Sequence, residues 1–156
     1  MDMYRVRALE GATAVEFTIA LYDGIIRFMH NAIEAVERKD VGGRRAAVKR
    51  AMDIVIHLQA TLKTDVGGKP AESLADFYVA IFALMLQGSQ ASSKKKFEQV
   101  IANVRNVRDA WKQVLADSSN RGLMQEGSTD QGDSNSETSA PWLPHAETHG
   151  AGNWTA

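Results

Sequence analysis

The sequence predicts an all-α protein: an antiparallel four-helix bundle with an N-terminal strap and a disordered C-terminal tail. Three observations carry this. Apolar residues recur at spacings of three, four and seven, and no alternating run suggests a strand. Before residue 117 the only proline is Pro70, and Gly11, Gly42, Gly43, Gly67, Gly68 and Gly88 divide the chain into four segments of helical length. From Asp117 onward the periodicity stops.

The first helix is expected from Thr13 to about Lys39. Thr13 and Glu16 have the Thr-x-x-Glu spacing of a capping box, in which each side chain satisfies an orphan N–H of the first turn. Val15, Tyr22, Met29 and Val36 repeat every seven residues, with Ile25 and Ile33 on the same face. Within this helix "LYDG" (Leu21 to Gly24) places a glycine where an exposed residue would lose about 1 kcal/mol relative to Ala. Gly24 therefore either marks a break or lets another chain segment approach the backbone closely.

The second segment carries Val48, Ala51, Val55, Leu58 and Leu62 at helical spacing and ends at "GGKP". The third carries Leu74, Tyr78, Ile81 and Met85, with Phe77 and Leu84 alongside. Ser92 or Ser93 can cap the fourth, whose stripe is Phe97, Val100, Val104, Val107, Trp111 and Val114. Short links between long helices imply antiparallel neighbours.

The expected domain is residues 1–116, followed by a Ser/Gly/acid-rich tail over 117–156 that is too poor in apolar residues to pack a core. Trp142, Leu143 and Trp154 are the exceptions in that tail, either a short contact motif or incidental. Residues 1–116 carry 17 Lys and Arg against 13 Asp and Glu; residues 117–156 carry 1 against 6. This mild positive excess, with no aromatics among the basic clusters, argues against nucleic acid as partner. There is no cysteine, so no disulfide or thiolate metal site. The opening residues lack a signal-peptide core, and no apolar run of the roughly 20 residues that span a bilayer is evident. A cytoplasmic protein without membrane insertion is expected.

Catalytic and cofactor patterns fail on spacing. A di-iron bundle needs Glu-x-x-His pairs, and none occurs. Asp53 and His57 share a helix face, but one pair is not a site. "HAETH" (His145 to His149) lacks the His-Glu-x-x-His order, and "GGKPAES" has Lys63 and Pro70 where a phosphate loop needs Gly and Ser/Thr. Neither His30 nor His57 is followed three residues later by Lys, the pattern of histidine phosphotransfer modules. A binding protein, not an enzyme, with no cofactor, is the expectation.

Some apolar residues lie beside the main stripes: Phe17, Leu21 and Phe28 on helix one, Ile54 and Ile56 on helix two, Phe82 and Leu86 on helix three. A bundle core takes about three apolar positions per heptad. The surplus either encloses a wide core or forms surface grooves for amphipathic helices.

Several motifs in order resemble the FliS family of flagellar export chaperones. They are Tyr4, "LYDG" followed by Ala32-Ile33, Gly67-Gly68 with Leu74, Phe77 and Tyr78, and "RDAWK" (Arg108 to Lys112). The sequence departs from the family at Ala14, where Pro is frequent, and at "YVAI" (Tyr78 to Ile81), which lacks an acid and an aromatic. The resemblance implies binding of the C-terminal region of flagellin, prevention of its premature polymerisation, and delivery to the cytoplasmic domain of the flagellar export gate. With the surplus apolar faces, it implies partner contacts at Tyr4, Leu21, Tyr22 and Gly24 on helix one. On helix two it implies Ile54, Leu58 and Leu62, and on helix three Phe77, Tyr78 and Phe82. It also suggests that the segment packed against Gly24 is the N-terminal strap bearing Tyr4, the alternative being a merely tolerated glycine. A helical-bundle adaptor or dimerisation module for another helical client is the alternative from the residues alone.

Overall fold

The computed structural model describes residues 2–65 and 68–127, and these form four helices: α1 (Asp2–Glu37), α2 (Val41–Asp65), α3 (Gly68–Ala91) and α4 (Lys94–Gly127). Trp142, Leu143, Trp154 and "HAETH" lie outside the described residues. α1 packs on α2 and α4, and α3 packs on the same two helices, so α1 and α3 face each other across the bundle diagonal. The fold is the all-α four-helix bundle that the apolar spacing predicts.

Each stripe supplies the core. Tyr22, Ile25 and Met29 of α1 are buried, as are Val48, Ala51, Val55, Leu58 and Leu62 of α2. Leu74, Tyr78, Ile81 and Met85 of α3 meet Phe97, Val100, Val104 and Trp111 of α4 in the same cluster. By length and composition alone, α3 is apolar enough to cross a membrane. Its most apolar line is instead committed to the bundle interior.

The helix ends differ from expectation in two places. α1 begins at Asp2, so residues 2–12 are helical and form no strap, and Thr13 lies about three turns inside the helix. The reason is local: Arg, Leu, Glu and Ala dominate this stretch and no proline interrupts it. At its far end α4 runs on to Gly127. Ser118 and Ser119 donate their hydroxyls to the carbonyls of Val114 and Leu115, which ties these polar residues back to the preceding turn.

The two described links use one device. Lys39 N–H donates to Val36 C=O (3.1 Å) and Asp40 N–H to Ala35 C=O (2.8 Å). Ser92 N–H donates to Ser89 C=O (3.4 Å) and Ser93 N–H to Gly88 C=O (2.9 Å). Both are Schellman closures with the penultimate residue in the left-handed region, Lys39 at φ 57° and Ser92 at φ 48°. The residue that completes each closure also caps the next helix. Asp40 Oδ1 accepts from Gly43 N–H (2.9 Å) and Ser93 Oγ from Lys96 N–H (3.3 Å). Arg44 donates to the Ser92 hydroxyl and joins the two links.

Behind the second link, Gly88 is buried against Phe97: a Cβ there would stand 2.8 Å from Phe97 Cε1. That contact lets the Phe97 ring close the bundle end.

A non-glycine residue in the left-handed region costs about 1 kcal/mol. Lys39 is exposed. Lys39→Gly is therefore expected to stabilise the protein by about 1 kcal/mol, read as a higher urea midpoint at unchanged slope. A lower midpoint would show that the Lys39 side chain contributes more than its backbone costs.

Candidate partner interface

"LYDG" sends four successive residues to four different places. Tyr22 points into the core, where its hydroxyl lies 2.6 Å from the Tyr78 hydroxyl of α3 and accepts from Trp111 Nε1 of α4 at 3.1 Å. Asp23 turns toward α4 and accepts from Arg108 Nη1 at 2.8 Å. Leu21 is half-buried against the core edge. Gly24 faces α2: a Cβ there would stand 3.1 Å from Ile54 Cδ1. The "LYDG" and "RDAWK" stretches thus clasp each other twice, through Tyr22–Trp111 and Asp23–Arg108.

The close approach at Gly24 is real, but its neighbour is α2 and not residues 2–12. Those residues continue α1 away from Gly24 and cannot fold back on it. Ile54 leans into the gap that the glycine leaves.

Along this side of α1, Phe17, Leu21, Gly24 and Phe28 follow one another at spacings of four, three and four, one line on a helix. α2 supplies the facing wall. Ile54 abuts Gly24, and the His57 ring meets Phe17 edge-on with centroids 6.1 Å apart. The guanidinium of Arg50 lies 5.9 Å from the Phe28 centroid, and that of Arg27 lies 5.1 Å from it. Phe28 is thus flanked by cations, an arrangement that favours an acceptor-rich or acidic partner residue at that end. Phe17 is 56% exposed, while Leu21, Phe28 and Ile54 are half-buried. The result is an open apolar seam between α1 and α2 with a basic end. Asp53, which shares a helix face with His57, pairs instead with Lys49 at 3.0 Å.

The remaining sequence-predicted residues divide by burial. Tyr22, Tyr78, Leu58 and Leu62 belong to the core. Phe82 is half-buried on the same side of α3 as exposed Val79 and Leu86, and Phe77 packs its ring 5.7 Å from that of Tyr78. Tyr4 lies in the opening turns of α1, and its side chain is outside the described set. Ile56, 52% exposed, lies on the other side of α2 from Ile54. Sequence reasoning missed Arg50 and His57 as walls of the seam. Their signal was the Arg50–Ile54–His57 spacing, which continues the line of Ile54.

Burial shapes the ionisation of the tyrosine pair. Removal from water pushes the Tyr22 phenol up to about 12 from its ordinary value near 10, despite the bonds to Tyr78 and Trp111. Tyr78 is raised as well, first by burial and then by the neighbouring Tyr22.

Known proteins are similar to this chain over most of the described residues. The family described as "Flagellar protein FliS" matches residues 1–118. The flagellar secretion chaperone FliS of Bacillus subtilis (strain 168) is 26% identical over 112 residues, 72% of this chain and 83% of that protein. That of Campylobacter jejuni is 31% identical over 94 residues, 60% of this chain and 73% of that protein. That of Salmonella typhimurium is 27% identical over 108 residues, with 69% and 80% covered. The chain belongs to the FliS family.

Gly24→Ala should be close to neutral. The roughly 1 kcal/mol gained in helix propensity is set against the few tenths of an ångström by which Ile54 must yield. Gly24→Leu should destabilise by about 1–3 kcal/mol through overpacking of the seam; a denaturant midpoint equal to wild type would refute the close approach.

The tyrosine pair predicts alkaline lability. Above about pH 10 the unfolded chain releases phenolic protons that the folded core retains, so stability falls as pH rises. The expected slope is about 1.4 kcal/mol per pH unit for each tyrosine until its folded value is passed. Denaturant melts between pH 9 and about 12 measure this, and a Tyr22→Phe/Tyr78→Phe protein should lose most of the slope.

Proposed function

We propose that this protein is a cytoplasmic flagellar export chaperone whose α1–α2 seam receives an amphipathic helix from the C-terminal region of flagellin. The observation that carries the proposal is the open line of Phe17, Leu21, Gly24 and Phe28 facing Ile54 and His57. From Phe17 to Phe28 it runs about 16 Å, roughly three helical turns, enough for anchors at i, i+4 and i+7 of a guest helix. Gly24 lets the Ile54 side chain close against α1. Family membership supports the class of client, since the relatives are named flagellar secretion chaperones.

The mechanism follows from the physics of such a seam. A client segment that is unfolded as a monomer gains helix by laying its apolar face against Phe17, Leu21 and Ile54. It loses chain entropy on doing so, and its affinity is reduced accordingly. While held, the apolar face that would pack in a filament is covered, so polymerisation is blocked. Release to the cytoplasmic domain of the export gate needs no bond to be broken, no nucleotide and no cofactor. The binding energy is that of apolar burial with the cationic rim of Arg27 and Arg50 setting orientation. Tyr4 and the α1 residues around it are the part proposed to take part in the handover.

Phe17→Asp tests the seam. Phe17 is exposed, so a charge there is solvated and the thermal melt should match wild type. Calorimetric titration with a flagellin C-terminal fragment should show affinity reduced at least tenfold, about 1.4 kcal/mol. Unchanged affinity in a normally folded variant would remove this seam from the binding surface.

A further inference from the structure

We propose that the chain's own Pro141-Trp142-Leu143-Pro144 segment docks on the outer face of α1 between Val6 and Phe17, across the level at which α2 ends. The contact rests on the fold alone; only its effect on client binding rests on the function proposed above.

The receiving surface comes from a mismatch in helix length. Gly24 opposite Ile54 and Phe17 opposite His57 set the register of α1 and α2. Followed along both helices, that register puts the end of α2 at Asp65 close to the level of Gly11. Beyond this level α1 continues to Asp2 without α2 beside it. On that side Val6, Glu10, Thr13, Ala14 and Phe17 line an open hollow of about 550 Å³. Val6 is 50% exposed and Phe17 56%, with Met3 further along at 70%. This is the seam of the candidate interface continued past its second wall.

The occupant is identified by reach and by chemistry. Leu115 and Ser118 share a second hollow with Gly11, Ala12 and Val15, which places the end of α4 beside the start of α1. Gly127 lies about 13 Å further along α4 than Ser118. Doubling back to the hollow, including about 10 Å to round α1, is a path of roughly 30 Å. The stretch from Gly127 to Trp142 can span about 50 Å, so the segment reaches. Beyond Gly127 the only large apolar side chains are Trp142, Leu143 and Trp154. Trp142 and Leu143 are adjacent and set between two prolines, whose fixed φ lowers the entropy lost on docking. Apolar Val6 and Phe17 suit the indole face, and the Glu10 carboxylate is an acceptor for an indole N–H. Bound there, the segment would occupy the mouth of the seam that a client helix enters, and would have to be displaced by it.

The test uses the full chain in the absence of any client. Methyl resonances of Val6, Thr13 and Ala14 are compared between wild type and a Trp142→Ala/Leu143→Ala protein, with Trp154→Ala as the control. All these substitutions lie beyond the end of α4 in the sequence, and circular dichroism melts check that the bundle is intact. Loss of an indole ring-current shift at Thr13 and Ala14 in the double variant, with Trp154→Ala unchanged, is the expected result. The shift should also be independent of protein concentration, since both groups belong to one chain. Identical spectra for wild type and the double variant overturn the proposal. So does a shift that fades on dilution, which would assign the hollow to a second copy. If docking is observed, titration with the flagellin fragment should be several-fold tighter for the double variant. Unchanged affinity there would overturn the displacement by client and leave the intramolecular contact standing.

Discussion

The bundle turns on one buried hydrogen-bonded group: the hydroxyls of Tyr22 and Tyr78, 2.6 Å apart, with Trp111 Nε1 at 3.1 Å. It joins α1, α3 and α4, and it crosses the diagonal between two helices whose backbones do not pack directly on each other. Apolar contact alone tolerates sliding, because one Leu or Val serves nearly as well as the next. A buried hydroxyl does not tolerate it. A slip of one turn would leave polar atoms unpaired in the core, at about 1–3 kcal/mol for each. The network therefore fixes both the axial register and the rotation of α1.

Rotation of α1 decides what its outer face presents. With Tyr22 held inward, Asp23 must turn toward α4, where Arg108 meets it, and Gly24 must turn toward α2, where Ile54 meets it. Leu21, Phe17 and Phe28 are carried onto the same outer line as Gly24. The ion pair, half-exposed at Asp23, adds at most about 1 kcal/mol and serves as a second pin on the same rotation. The seam is thus a consequence of the core. Its walls stand where they do because a tyrosine behind them has a partner.

The centres of the core stripes were legible in the sequence, because periodicity at 3.6 residues is an imprint of burial on one face. But Ile19, Ile26 and Ile101 are buried beside the predicted stripes, and Val15, Ile33 and Val36 on them are only partly buried. Helix ends were not legible. Thr13–Glu16 satisfies the spacing of a capping box, yet a capping box stabilises only a helix that starts there, and Asp2 to Ala12 continues helical instead. Residues 117–127 carry no stripe because they extend past α2 and α3, so periodicity could not report them. Partner residues were legible only as a surplus. Periodicity set Ile54 beside the stripe that carries Leu58, but it could not say which of the two, one turn apart, stays free to face a partner. Both were implied as partner contacts, although Leu58 is buried. Distinguishing them needs the position of α1, which the Tyr22 network supplies and which no local pattern encodes.

Two costs in the sequence are best understood together. Gly24 gives up about 1 kcal/mol of helix propensity, and Phe17 leaves more than half of an aromatic surface in water. Either alone would be an imperfection that ordinary drift could remove. Ala at position 24 would strengthen the helix but press on Ile54. A polar residue at position 17 would improve solubility but remove its rim. Both concessions fall on one line of one helix, beside the wall formed by Ile54 and His57, and the core behind them is filled without them. A bundle selected for stability alone has no reason to place them in register. A surface that is to accept another helix needs both a closely packed wall and an apolar rim, and the tyrosine network holds the two in register.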